Sequence, residues 1–309
     1  MAKLNLGLTP WDFSDLSAIS LVRQARLAEN LGYDSVWLPE NHFGQNAIPD
    51  PITLLAAVAG GTSKIRLGTT SYLLTLRNPL QAAEQVAVLD QLSHGRVILG
   101  VGRGYAPDML KAFHVPPAQK RRIFSWALDI MQDAWSGKPV TLDENEENAV
   151  LVHPLPFQKP WPPIWVAAFG PKALAQAGKL GLPYLCSPME SMEKLKENFD
   201  VHRNEIESAG LEVPETVPLM RSVFISKDSK AVKAIKREVE EKTENTRLKD
   251  SDTIDDWVII GEPKEVRDML DQYIEQLGMN YLIASRVRAS GIDSKVLEES
   301  MALLAEISE

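Results

Sequence analysis

DSVWLPENHF, residues 34–43, is the stretch from which the fold is read. Its first half, Asp34 to Leu38, is a short run dominated by apolar and β-forming residues, as a buried parallel strand requires. Its second half places a carboxylate, an amide and an imidazole (Glu40, Asn41, His42) where that strand ends. The arrangement recurs downstream. Arg103 follows the apolar run Arg96 to Val101, and Gly170-Pro171-Lys172 follows Ile164 to Ala168. Polar groups at the carboxyl ends of several buried strands predict a β/α barrel with a site at its mouth.

Outward from this stretch, apolar runs alternate with amphipathic ones. Leu4 to Thr9 reads as a strand, and 18–31 as a helix with Ile19, Val22, Ala25, Ala28 and Leu31 in phase. Further strands are predicted at Ile65 to Leu74, Arg96 to Val101, Ile164 to Ala168, 183–186, 219–226 and Tyr281 to Ser285. Helices are predicted over 52–60, 80–92, 118–135, 171–180, 190–208, 228–245, 262–277 and 293–307, with Pro51 and Pro79 as openers. Residues 137–163, rich in proline and carrying DENEEN at 143–148, read as a long excursion with a hairpin. Residues 246–260 read as a loop over the mouth. Eight strands alternating with helices give an α/β fold: an eight-stranded parallel β/α (TIM) barrel with insertions at its C-terminal mouth, one domain over 1–309. An open doubly wound sheet is the alternative.

Composition narrows the function. A formal charge of −9 disfavours nucleic acid and anionic membranes, which reward clustered Lys and Arg. The single cysteine, Cys186, excludes an internal disulfide and a cysteine-based metal site. No His/Asp/Glu set has metal-ligand spacing, so no metal is expected. The apolar run in MAKLNLGLTPWD is too short for a signal peptide, and no stretch approaches the ~18 residues of a membrane span. The expected location is the cytoplasm.

Two segments carry candidate chemistry. GVGRGY (100–105) has glycines at 100, 102 and 104, the wrong spacing for a dinucleotide fingerprint. It reads either as flexible backbone near a ligand with Arg103 as a cation, or as a plain glycine-rich strand end. Phe169-Gly170-Pro171-Lys172 opens a helix, whose free N–H groups can hold an anion; an ordinary helix start is the other reading. Arg103, one strand away, would add a full positive charge there. His42 reads as a general acid/base or a hydrogen-bond donor to a cofactor, or as a structural histidine. Trp11, Phe43, Tyr72, Tyr105 and Phe169 fall at the predicted mouth and suit a flat, partly apolar cofactor.

The chain resembles the bacterial luciferase-like family of flavin-dependent monooxygenases over nearly its full length. The resemblance lies in LAENLGYDSVWLPENHF (27–43), KIRLGTTSYLL (64–74), NPLQAAEQVAVLDQLSHGRVILGVGRGY (78–105), PPIWVAAFGPKALAQAGKLGLP (162–183) and IIGEPKEVRDMLDQYIEQLGMNYLI (259–283). It implies reduced FMN from a separate flavin reductase, and insertion of one oxygen atom into a small organic substrate such as an aldehyde or ketone. Arg103 and the backbone around Ala168, Phe169 and Gly170 would hold the phosphate. Thr70-Ser71 matches a non-prolyl cis peptide beneath the flavin ring, and Gly102 and Tyr105 would line the pocket. His42 would manage protons or contact the flavin.

The departures are informative. Asn41 stands where the luciferases have the first of two histidines, so light emission is not expected. Phe169 stands where the family often offers a hydroxyl. The same barrel hosts deazaflavin-dependent oxidoreductases that transfer hydride, and a non-catalytic flavin-binding subunit is a further alternative. Family members pair through the helices after strands two and three. Here those helices carry alanines 56, 57, 59, 82, 83 and 87, so a homodimer is expected.

Overall fold

The computed structural model describes residues 4–12, 17–141, 149–243 and 253–308. In chain order the elements begin β1 (Asn5–Leu8), α1 (Ala18–Asn30), β2 (Ser35–Leu38), α2 (Pro51–Gly61), β3 (Arg66–Thr69), β4 (Tyr72–Leu73) and α3 (Pro79–Leu92). They continue β5 (Val97–Gly102), α4 (Pro107–Ala112), α5 (Lys120–Trp135), β6 (Ile164–Ala167), α6 (Pro171–Lys179), β7 (Tyr184–Leu185) and α7 (Met192–Ser208). The last are β8 (Pro218–Ile225), α8 (Ser229–Thr243), β9 (Val258–Gly261), α9 (Pro263–Leu277), β10 (Tyr281–Ser285) and α10 (Ser294–Ile307). The fold is parallel α/β, as strands alternating with crossover helices require.

The chain falls into two compact units. One is drawn from Phe13–Ala25 and Trp37–Ala167, the other from Met1–Asp12, Arg26–Val36 and Ala168–Glu309. In the first, strand neighbours run β6-β5-β3-β2, with β4 paired to β5. All six residues of β5 are buried, as a central strand covered on both faces must be. The rings of Trp37 and Trp165 stack at 4.8 Å. Gly68 makes room for them, since a Cβ there would lie 2.2 Å from the Trp37 ring. In the second unit the order is β2-β1-β10-β8-β9, all parallel.

Helix starts follow the sequence signals. Asp50 accepts the Thr53 N–H and Asn78 accepts those of Leu80 and Gln81, each just before the proline that opens α2 or α3. At α9, Glu262 and Glu265 form a reciprocal capping box around Pro263.

Several expectations are corrected. The strand expected over Ile65 to Leu74 is two strands, β3 and β4, parted at Thr70-Ser71. A short helix outside those expected, α4, opens at Pro107, because a proline at the first turn gives up only an N–H that has no intrahelical partner. Val258 to Gly261, expected within a loop over the mouth, is the buried strand β9, paired with β8. Its run of Val and Ile is β-forming, and the polar residues before it hid that signal. Trp11 and Tyr72 are buried and so do not form an exposed rim. Of the excursion at 137–163, Val140 and Val150 make an antiparallel bridge; DENEEN lies outside the described residues.

Candidate functional site

The polar cluster expected after β2 lies within the first unit. β2 ends at Leu38, whose carbonyl accepts the Thr70 N–H at 2.8 Å. Two residues on, the side chain of Glu40 is fully buried. Its Oε2 accepts the Leu73 N–H at 2.9 Å. Its Oε1 lies 2.8 Å from Arg77 Nη1 and 2.9 Å from His42 Nε2. Arg77 also donates to the Leu73 carbonyl at 2.9 Å and stands 4.0 Å above the Tyr72 ring. Tyr72 in turn donates to Gln85 Oε1 at 2.9 Å. Burial pushes the Tyr72 phenol well above its ordinary range, so it keeps its proton at neutral pH.

Glu40, His42, Arg77 and Gln85 line a cleft of about 200 Å³ that Pro49, Asp50, Leu76 and Phe113 complete. Phe113 meets His42 edge-on at 4.8 Å and stacks on Phe43 at 5.8 Å. Phe43 is 72% exposed and holds φ at 65°, which is uncommon for a bulky residue. An apolar wall thus faces a hydrogen-bonded carboxylate, guanidinium and imidazole.

A second group gathers at the end of β5. The Arg103 side chain is buried beside Phe124, 5.1 Å from its ring, and Nη2 donates to the Ala167 carbonyl at 2.9 Å. Thr75 holds the Arg103 carbonyl at 2.8 Å. Burial, with Arg121 adding repulsion, lowers the Arg103 pKa to about 10, so the group is still a cation at neutral pH. The Thr70-Ser71 peptide is cis, as the resemblance implied. A Cβ on Gly102 would come within 2.2 Å of Ser71 Oγ, so only glycine fits beside it as they stand. The buried Thr70 Oγ1 has no hydrogen-bond partner among the described residues.

The structure therefore brings His42 together with Glu40 and Arg77, and Ser71 with Gly102. Tyr105 is exposed. Ala168, Phe169 and Gly170 belong to the second unit. There Ala168 is buried, Phe169 is exposed, and Gly170 is the residue before α6, at φ 81° and with no side-chain cap. The first-turn N–H groups of α6 thus lack a capping side chain. Arg77 was missed in the sequence, because one arginine just before an Asn-Pro helix start looks like a surface charge.

The residues fit a flavin. Arg103 supplies a positive charge of the kind a phosphate takes. The unpartnered Thr70 hydroxyl offers a hydrogen bond to a polar ring edge, next to a glycine contact that admits no side chain. Among the described residues no cluster of His, Cys, Asp and Glu could hold a metal ion.

Comparison with known proteins gives the family of the chain. A family profile described as luciferase-like monooxygenase matches residues 14–281. An uncharacterized protein of Sinorhizobium fredii is 32% identical over 214 residues, which are 67% of this chain and 60% of that protein. The chain thus aligns with less than two thirds of that relative's length. The F420-dependent glucose-6-phosphate dehydrogenase of Amycolatopsis mediterranei is 28% identical over 293 residues, 85% of this chain and 87% of that one. Among solved structures, the oxygenating constituent of 3,6-diketocamphane monooxygenase from Pseudomonas putida, in complex with FMN, superposes with a TM-score of 0.81. That likeness has 20% identity and covers 99% of this chain and 98% of that one.

Proposed function

The chain belongs to the luciferase-like monooxygenase family, and from that premise we propose that it is a flavin-dependent monooxygenase using reduced FMN and oxygen to oxidise a small organic substrate. The observation that carries this reading is Arg103, a buried guanidinium fixed on the Ala167 carbonyl at the carboxyl end of β5. A desolvated cation held in one orientation is suited to a phosphate. Arg103 would bind it. Thr70, Ser71, Gly102 and Tyr105 are the remaining proposed cofactor contacts. For the fold of the whole chain, the proposal is the eight-stranded barrel with insertions at its mouth.

Bound reduced flavin supplies the two electrons of the reaction, with one oxygen atom entering the substrate and the other leaving as water. The chain's own residues do the rest. His42 takes or gives a proton, held in place by Glu40. Phe113, which lines the cleft, covers one side of it with an apolar ring. The partners proposed are a small-molecule substrate, a separate flavin reductase and a second copy of the chain. No described helix is long and apolar enough to cross a membrane.

The second reading is a deazaflavin-dependent oxidoreductase, favoured by the alignment with the F420-dependent dehydrogenase over 85% of the chain. Isothermal titration with FMN and with the deazaflavin tests the choice. Tighter binding of FMN is expected; a clear preference for the deazaflavin overturns the monooxygenase reading.

A further inference from the structure

Glu40 is held from three directions. Leu73 N–H fixes Oε2 at 2.9 Å, while Arg77 and His42 share Oε1 at 2.8 and 2.9 Å. Arg77 is itself fixed, by the Leu73 carbonyl at 2.9 Å and by the face of Tyr72 at 4.0 Å. A carboxylate bonded at both oxygens cannot turn away from the imidazole. Because a carboxylate only accepts, the hydrogen of this contact sits on His42 Nε2. Nδ1 is then the nitrogen left to exchange a proton, and it has no hydrogen-bond partner among the described residues. Phe113, edge-on at 4.8 Å, further restricts the ring.

We propose that Glu40 and Arg77 are positioning residues, which lock His42 in its Nε2–H tautomer and leave Nδ1 as the nitrogen that handles the proton. This role rests on the reading of His42 as the proton-handling group. Arg77 balances the buried charge of Glu40, so the carboxylate keeps its orienting place without a second cation. A purely structural Glu40 would tie the segment after β2 to β4 and leave the imidazole tautomer indifferent to its charge.

Two-bond ¹H–¹⁵N correlation spectra of the flavin-free protein read the tautomer, with His42 assigned by comparison with His42→Gln. The wild type and Arg77→Lys are expected to show one Nε2–H species. Glu40→Gln and Arg77→Met are expected to show a mixture or the opposite tautomer. In turnover with reduced FMN, Glu40→Gln is expected to lower kcat by about 100-fold while KM and flavin affinity stay within about twofold. An Nδ1–H ring in the wild type, or an unaltered spectrum in Glu40→Gln, overturns the proposal. If Glu40→Gln does not fold, the wild-type spectrum and Arg77→Met decide. A locked ring in a protein that binds no flavin upholds the positioning and overturns the flavoenzyme reading, so the two failures are distinct.

Discussion

At the residue scale, the chemistry depends on charges held out of water. Arg103→Gln keeps much of the side chain's length but removes its charge. FMN affinity is expected to fall by about 10- to 100-fold, since hydrogen bonds to charged groups contribute ~1.5–3 kcal/mol. Riboflavin, lacking the phosphate, serves as the control in the same titration, and equal losses for both ligands would remove Arg103 from the phosphate site. Glu190 accepts from Tyr184, Ser187 N–H and Asn198 at 2.8–2.9 Å, yet burial outweighs these bonds and raises its pKa. The stability it contributes is therefore complete below the unfolded carboxyl pKa of about 4.3 and is lost as pH rises through the raised folded value. Glu190→Gln is expected to flatten that decline, read as urea midpoints between pH 4 and about 8. Burial likewise pushes the Cys186 thiol up to about 11, so native protein should resist alkylation at neutral pH and react once unfolded.

At the element scale, the strands of the first unit meet through the Trp37–Trp165 stack, and Gly68 is what lets the stack form. Gly68→Ala would drive a methyl into the Trp37 ring, and overpacking of this kind costs about 1–3 kcal/mol. The expected outcome is a lower melting temperature and altered tryptophan fluorescence. An unchanged melting curve would show that the ring can move aside. Most strands and helices were legible, because buried runs and 3.6-residue periodicity survive in a single sequence. Less legible was β9. A four-residue strand following a polar stretch carries too little pattern to separate from a loop. The same holds for the division at Thr70-Ser71, since Thr69, Thr70, Ser71 and Tyr72 all suit a strand.

At the scale of the whole molecule, the alanines of α2 and α3 have a different use from the one expected. Ala59, Ala82, Ala83 and Ala87 are buried within the protomer, which leaves Ala56 and Ala57 half-buried. The exposed apolar residues of α3 are Val88 and Leu92. The proposed homodimer would draw on these last two, and Val88→Glu with Leu92→Lys is expected to yield monomers by light scattering at micromolar concentration. A wild-type monomer at that concentration would end the dimer proposal. The sequence by itself determined the parallel α/β class, most element positions, the family, and the placing of polar groups just past the ends of β2 and β5. Those follow from local periodicity and from residue types that a buried strand selects. Only tertiary structure decided that Arg77, Leu73 and His42 converge on Glu40, and that Thr70 keeps a buried hydroxyl without a partner. Both facts depend on where separate strand ends meet in space, which no local pattern encodes.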